Sequence, residues 1–143
     1  DTANALPGVA VQRNRGAMTT GSCLCGAVRY EATGPLRDVV ICHCRMCRKA
    51  HGHIGAYAAV AKDALRLVEA RGLKWYRSST HARRGFCSEC GSTLFWDGEG
   101  RDTISIAAGT LDAPTGLATT LQIHVASAGD YYAVDASTPI RPE

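Results

Sequence analysis

Seven cysteines limit what this chain of 143 residues can fold into. They fall as C-x-C (Cys23, Cys25), C-x-C-x-x-C (Cys42, Cys44, Cys47) and C-x-x-C (Cys87, Cys90). An odd number cannot all be joined in disulfides, and cysteines so close in sequence do not easily reach relaxed disulfide geometry. The same spacing suits chelation, because one turn can aim two sulfurs at a single ion. Soft thiolates in a tetrahedral set select zinc.

Seven ligands divide as four plus three. A closed structural site needs four, commonly from two short motifs far apart in the chain, whereas a catalytic site keeps three and an open position. Pairing Cys23 and Cys25 with Cys87 and Cys90 would close one site and tie the start of the domain to its middle. The stretch CHCRMC, from Cys42 to Cys47, would supply the other. Gly91 follows the C-x-x-C, as a knuckle with backbone amides facing sulfur requires. Other readings stand beside this one. The C-x-x-C could be a redox pair, and CHCRMC could be closed as a Cys₃His site by His43, His51 or His53. The iron–sulfur spacing C-x₂-C-x₂-C-x₃-C is absent.

The length suits one domain. No apolar run approaches the roughly 18–20 residues a membrane helix needs, so no membrane partner is expected. Residues 1–17 begin acidic, hold no sustained apolar stretch and do not read as a signal peptide. They are expected to be a flexible upstream extension or remnant, leaving 18–143 as a single domain. Free thiols in this number point to a reducing, cytoplasmic setting. The formal charge is +3, with thirteen arginines among sixteen basic residues, and no basic run exceeds two. Seven thiolates on two Zn²⁺ would remove about three charges, so the arginines balance a metal–thiolate array rather than mark a nucleic-acid footprint.

The pattern between the cysteines is that of short strands. In 21–34 a metal-binding turn runs into a strand in which Val28 and Tyr30 alternate with Arg29 and Glu31. Further strands are expected at 38–41, 54–60, 74–77, 92–96, 103–107 and 121–126, with a last short one at 131–134. The stretch 61–71 fits either helix or strand, and its neighbours favour strand. Residues 45–51 suit one helical turn or a loop, and Asp97 and Gly98 suit a turn. Trp75, Tyr76, Phe95 and Trp96 are expected in the core. Arg83 and Arg84, just before the C-x-x-C, read as support for the four-cysteine site.

Four ordered motifs, GSCLCGAVRY, CHCRMCRKAHG, RRGFCSECGSTLFW and ISIAAGTLD, together with a closing HVASAGDYYAVDASTP, resemble one family. It is the glutathione-dependent formaldehyde-activating enzyme family, which also includes centromere protein V-like domains. The resemblance spans about residues 21–139. It implies a mainly β, Mss4-like fold of small coiled antiparallel sheets organised around zinc. It also implies two Zn²⁺ per chain: a structural ion on Cys23, Cys25, Cys87 and Cys90, and a catalytic ion on Cys42, Cys44 and Cys47. Where relatives carry a Pro-Trp pair, this chain has Asp130 and Tyr131.

The activity implied is that of a carbon–sulfur lyase joining a small thiol such as glutathione to formaldehyde or another small aldehyde. Within that reading, Arg45, Arg48 and Lys49 can attract the carboxylates of the thiol substrate. They can equally balance the thiolates or face solvent. His51 can act as a proton shuttle or orient a ligand, or it can be a loop histidine bonded to backbone. The rival from another class is a non-catalytic zinc module that binds protein or nucleic acid. A methionine sulfoxide reductase of similar fold would need a catalytic cysteine outside the zinc motifs, and none follows Cys90.

Overall fold

The computed structural model describes residues 17–143; of the expected extension over 1–17, everything before Ala17 lies outside the described residues. The chain is mainly β. Among the described residues ten strands run β1 (Met18–Ser22), β2 (Arg29–Thr33), β3 (Arg37–Cys42), β4 (Gly55–Ala61), β5 (Leu65–Glu69), β6 (Leu73–Arg77), β7 (Ala82–Cys87), β8 (Thr93–Gly98), β9 (Thr103–Ala107) and β10 (Thr119–Ile123). One α-helix, α1 (Arg45–His51), lies between β3 and β4. β1, β2 and β5 form a three-stranded sheet, and the others form a seven-stranded sheet in the order β10-β3-β4-β9-β8-β7-β6. Pairing is antiparallel except between β10 and β3, which run parallel. No helix among the described residues is long and apolar enough to cross a membrane.

Side-chain alternation explains how the sheets meet. In β2, Tyr30 and Ala32 point inward, while Arg29 and Thr33 point out. In β9, Ile104 and Ile106 are buried while Thr103 and Ser105 point outward, and Ala107 at the strand end is buried as well. Tyr30 meets Phe95 of β8 edge-on, with ring centroids 5.4 Å apart, and this contact pins the small sheet to the large one. Each such fully buried side chain contributes about 1.5–3 kcal/mol. The Tyr30 hydroxyl is bonded to Thr110 Oγ1 at 2.7 Å, so the buried phenol is satisfied. β4 is buried along most of its length, because it lies between β3 and β9 and its small residues GAYAAVA let both neighbours approach.

The ambiguous stretch 61–71 resolves into a 3-10 turn at Lys62–Ala64 followed by β5, which completes the small sheet against β2. Four expectations are corrected. Residues 131–134 form no strand: the neighbouring rings of Tyr131 and Tyr132 contact each other at 4.7 Å and both meet His53, whereas strand neighbours point to opposite faces. Asp97 and Gly98 belong to β8, and the turn falls at Glu99 and Gly100, where Gly100 takes φ +76°. β10 stops at Ile123 because His124 adopts a left-handed backbone at φ 56°. Tyr76, expected in the core, is 64% exposed near the outer edge on β6.

Candidate metal centres and the adjoining cleft

Two groups of thiols converge. Cys23 and Cys25, from the connection after β1, meet Cys87 and Cys90, from the β7–β8 connection, with all four sulfurs within 4.8 Å of one another. Cys25 Sγ lies 3.8 Å from both Cys23 Sγ and Cys87 Sγ. Tetrahedral zinc with bonds of roughly 2.3 Å separates its sulfurs by roughly 3.8 Å, so this donor set fits that ion. Backbone amides face the sulfurs as metal-bound thiolates require: Val28 N–H donates to Cys23 Sγ at 3.2 Å and Glu89 N–H to Cys87 Sγ at 3.4 Å. The hydroxyl of Ser92 holds the Cys90 thiol down to about 5. Gly91 takes φ +83° and its N–H closes the knuckle on Cys87 O at 2.7 Å, the role its position implied.

The second group is Cys42, Cys44 and Cys47, again with sulfurs within 4.8 Å of one another. Cys42 ends β3, where it pairs with Gly55 of β4 and Ile123 of β10. Cys44 is the N-cap of α1, and its sulfur accepts from Cys47 N–H at 3.4 Å. That bond turns Cys47 back beside its neighbours. Gly52, with φ +79°, ends the helix after seven residues. All seven cysteines are free thiols. No histidine joins the second group among the described residues. His43 is buried and bonded to Tyr132 Oη at 2.6 Å and Gln122 Oε1 at 2.9 Å; His53 bonds Tyr131 Oη at 2.7 Å.

Arg84 is the group that sequence reasoning assigned to the wrong sulfurs. Its buried guanidinium donates through Nη2 to Cys47 Sγ at 3.6 Å and through Nη1 to Tyr57 Oη at 3.1 Å. Tyr57 Oη in turn bonds His51 Nε2 at 2.6 Å. Arg83 points the other way, to Asp97 Oδ2 at 2.9 Å and over the Trp75 ring at 3.9 Å. Adjacent residues of a strand face opposite sides, so reading RRGFC as β7 would have separated the two arginines.

These contacts set the electrostatics. Cys47 is drawn down to about 5, first by its hydrogen bond with Cys42 and, against the effect of burial, by Arg84. Cys42 is pushed up by the same pairing and by burial. Burial, then the Arg84 charge, holds the His51 imidazole below its usual range and so neutral. Burial pushes the Tyr57 phenol up, which keeps its proton in place.

A cleft of about 290 Å³ opens beside the second group, lined by its three cysteines with Tyr57, Arg84 and Trp96 and, further round, Arg37 and Arg101. No carboxylate among the described residues lines it. A larger groove of about 440 Å³ over Trp75 and Tyr76 contains no thiol. Of the sequence candidates, Arg45 and Lys49 line a separate groove of about 370 Å³ with Tyr76. Arg48 donates to His43 O at 3.3 Å. His51 closes α1 and reaches the thiols through Tyr57 and Arg84. Trp96, expected in the core, is half-buried, packing against the cluster of Cys42, Cys47, Tyr57 and Ala107 while also lining the cleft.

Comparison with known proteins locates this architecture. The family model described as glutathione-dependent formaldehyde-activating enzyme matches residues 18–127, which include all seven cysteines. An uncharacterized lyase of Schizosaccharomyces pombe is 32% identical over 77 residues, a match covering 53% of this chain and 55% of that protein. The chain thus spans about half the length of that curated relative. The crystal structure of a Rhodobacter sphaeroides protein superposes with a TM-score of 0.56 at 29% identity, covering 66% of this chain and 88% of that one.

Proposed function

We propose, from the premise that this chain belongs to the glutathione-dependent formaldehyde-activating enzyme family, that it is a zinc-dependent carbon–sulfur lyase. In this reading Cys23, Cys25, Cys87 and Cys90 hold a structural ion, and Cys42, Cys44 and Cys47 hold a second with one position left for substrate. The observation that carries it is the second thiol group: three convergent sulfurs, no fourth protein donor among the described residues, and an adjoining cleft. A zinc ion there would lower the pKa of a thiol in its open position and leave it nucleophilic at neutral pH.

The reaction adds the substrate thiol across an aldehyde C=O. A carbon–sulfur bond forms, the carbonyl π bond breaks, and the thiol proton passes to the oxygen; elimination reverses each change. The chain's own groups prepare this. Arg84 favours the thiolate form of Cys47 and so keeps that ligand available. Tyr57, held by Arg84 and neutral His51, places a hydroxyl at the cleft wall within one hydrogen bond of a proton acceptor. That pair is the route by which a proton reaches the developing alkoxide. Cys42 and Cys47 are buried while Cys44 is partly open, so substrate approaches from the Cys44 side. Seven free thiols suit a reducing compartment such as the cytoplasm.

The test is exchange between glutathione and its formaldehyde adduct, followed by NMR on the zinc-loaded protein. Exchange faster than in buffer, lost in Cys44→Ser, is expected. A rate equal to buffer with glutathione and with a smaller thiol such as mercaptoacetate alike overturns the enzyme reading and favours a non-catalytic zinc module.

A further inference from the structure

The arginines around the cleft outnumber the charge they need to balance. Three thiolates on one divalent ion leave a single negative charge, and Arg84, in contact with Cys47, offsets it. Arg37 and Arg101 line the same cleft, and no acidic side chain among the described residues lies in its walls. Neither forms an ion pair with a carboxylate among the described residues.

Their hydrogen bonding is incomplete as well. Arg37 uses Nε on Asp38 O at 3.2 Å and Nη2 on Tyr57 O at 2.8 Å, which fixes the guanidinium and leaves Nη1 free to donate. Arg101 makes no side-chain hydrogen bond among the described residues, and its guanidinium is placed over the Trp96 ring at 5.3 Å. Gly98 leaves room for that placement: a Cβ there would come within 2.8 Å of Arg101 Cδ and of the Trp96 ring. The two guanidiniums repel each other. Burial, then the charge of Arg101, holds Arg37 below its ordinary value. A pair of like charges beside a three-thiol group, one of them held by two backbone carbonyls, with donors to spare and no carboxylate partner among the described residues, is an arrangement that suits a planar anion.

Resting on the reading of the three-thiol group as a substrate-thiol site, we propose that Arg37 and Arg101 form the carboxylate-binding element of the cleft and select a small thiol acid, with its sulfur toward Cys42, Cys44 and Cys47. The volume of about 290 Å³ lies at the small end of ligand pockets and favours a short acid lying wholly within the cleft. Carboxylate recognition then belongs to these two arginines and not to Arg45, Arg48 or Lys49, none of which lines this cleft. Arg101 is the specificity-determining residue of the pair, since Arg37 also supports the backbone at Tyr57.

Calorimetry on the zinc-loaded full chain tests this with mercaptoacetate, its neutral amide mercaptoacetamide, and propionate, which carries no thiol. Mercaptoacetate should bind at least about tenfold more tightly than the amide, the scale of a charge-assisted hydrogen-bond pair. Arg101→Gln should reduce that preference to within about twofold while leaving amide affinity unchanged, and Arg101→Lys should restore part of it. The exposed position of Arg101 keeps these variants folded. Equal binding of acid and amide to the wild type, no binding of either acid, or a preference that survives Arg101→Gln but is lost in Arg45→Gln or Lys49→Gln would overturn the proposal. Propionate binding that depends on Arg101, with no binding of mercaptoacetamide, would retain the arginine pair and sink the thiol-site reading beneath it.

Discussion

Arg84 Nη2 lies 3.6 Å from Cys47 Sγ, joining β7, the first strand of the knuckle hairpin, to the first turn of the only α-helix among the described residues. The contact is buried and crosses 37 positions of sequence. It places a permanent cation against one sulfur of a three-thiol group, and a cation there favours thiolate over thiol.

Arg84→Met should therefore weaken metal binding at the Cys42, Cys44 and Cys47 group by about 10- to 100-fold, the usual effect of losing a partner outside the ligand set. Competition with a chelating dye reads both sites in one titration. The four-cysteine site should keep its affinity, and an unchanged second site would show that Arg84 does not tune Cys47.

Metal analysis should find two zinc ions per chain, and one in Cys44→Ser. That variant should keep its circular dichroism, because serine accepts the same N-cap bond from the residue 47 amide that Cys44 Sγ accepts at 3.4 Å. Cys87→Ser should unfold the chain instead. A structural zinc supplies about 10–16 kcal/mol, as much as the whole stability of an ordinary domain. Equal effects of the two substitutions would contradict separate roles.

Gly72→Ala probes the packing behind the four-cysteine site. A Cβ at 72 would lie 2.8 Å from both Cys87 Sγ and Ala27 Cβ, and both neighbours are wholly buried. The overpacking should cost about 1–3 kcal/mol and speed loss of zinc from that site. An unaltered melting temperature would show that the knuckle yields freely.

The His51 imidazole should titrate below about 6.5, its ordinary midpoint, because burial and the Arg84 charge both oppose protonation. The unfolded chain then binds its proton first as pH falls. This contribution to stability is complete above about 6.5 and is lost as pH drops through the depressed folded value. Site-resolved NMR titration of the His51 ring decides it; a midpoint at or above 6.5 would refute the neutral His51–Tyr57 pair.

Much of the architecture follows from local pattern. The β9 stretch TISIA alternates cleanly and forms the expected strand over Thr103–Ala107. The C-x-C and C-x-x-C motifs announce knuckles whose glycines, Gly26 and Gly91, take the left-handed backbone. β7 was not legible, because ARRGFC has no alternation: it is buried on both sides, with Gly85 against Trp75 and Phe95. The 131–134 stretch misled for the opposite reason, since tyrosines favour strands but here face histidines from the β3–α1 and α1–β4 connections.

The sequence by itself marked C-x-C, C-x-C-x-x-C and C-x-x-C as chelating turns and suggested a four-plus-three division, because ligand spacing within a turn is a local property; that the first and last motifs meet across 62 positions was decided by the fold. The sequence also determined the family, since the motifs occur in a fixed order. Which charges accompany each group was decided only by tertiary structure. Arg84 reaches Cys47, and Arg37 and Arg101 share the cleft, through strand order and register that bring β3, β7 and the β8–β9 turn together. Electrostatic influence acts over distance in space, and Arg84, which touches Cys47, lies 37 positions from it in the chain.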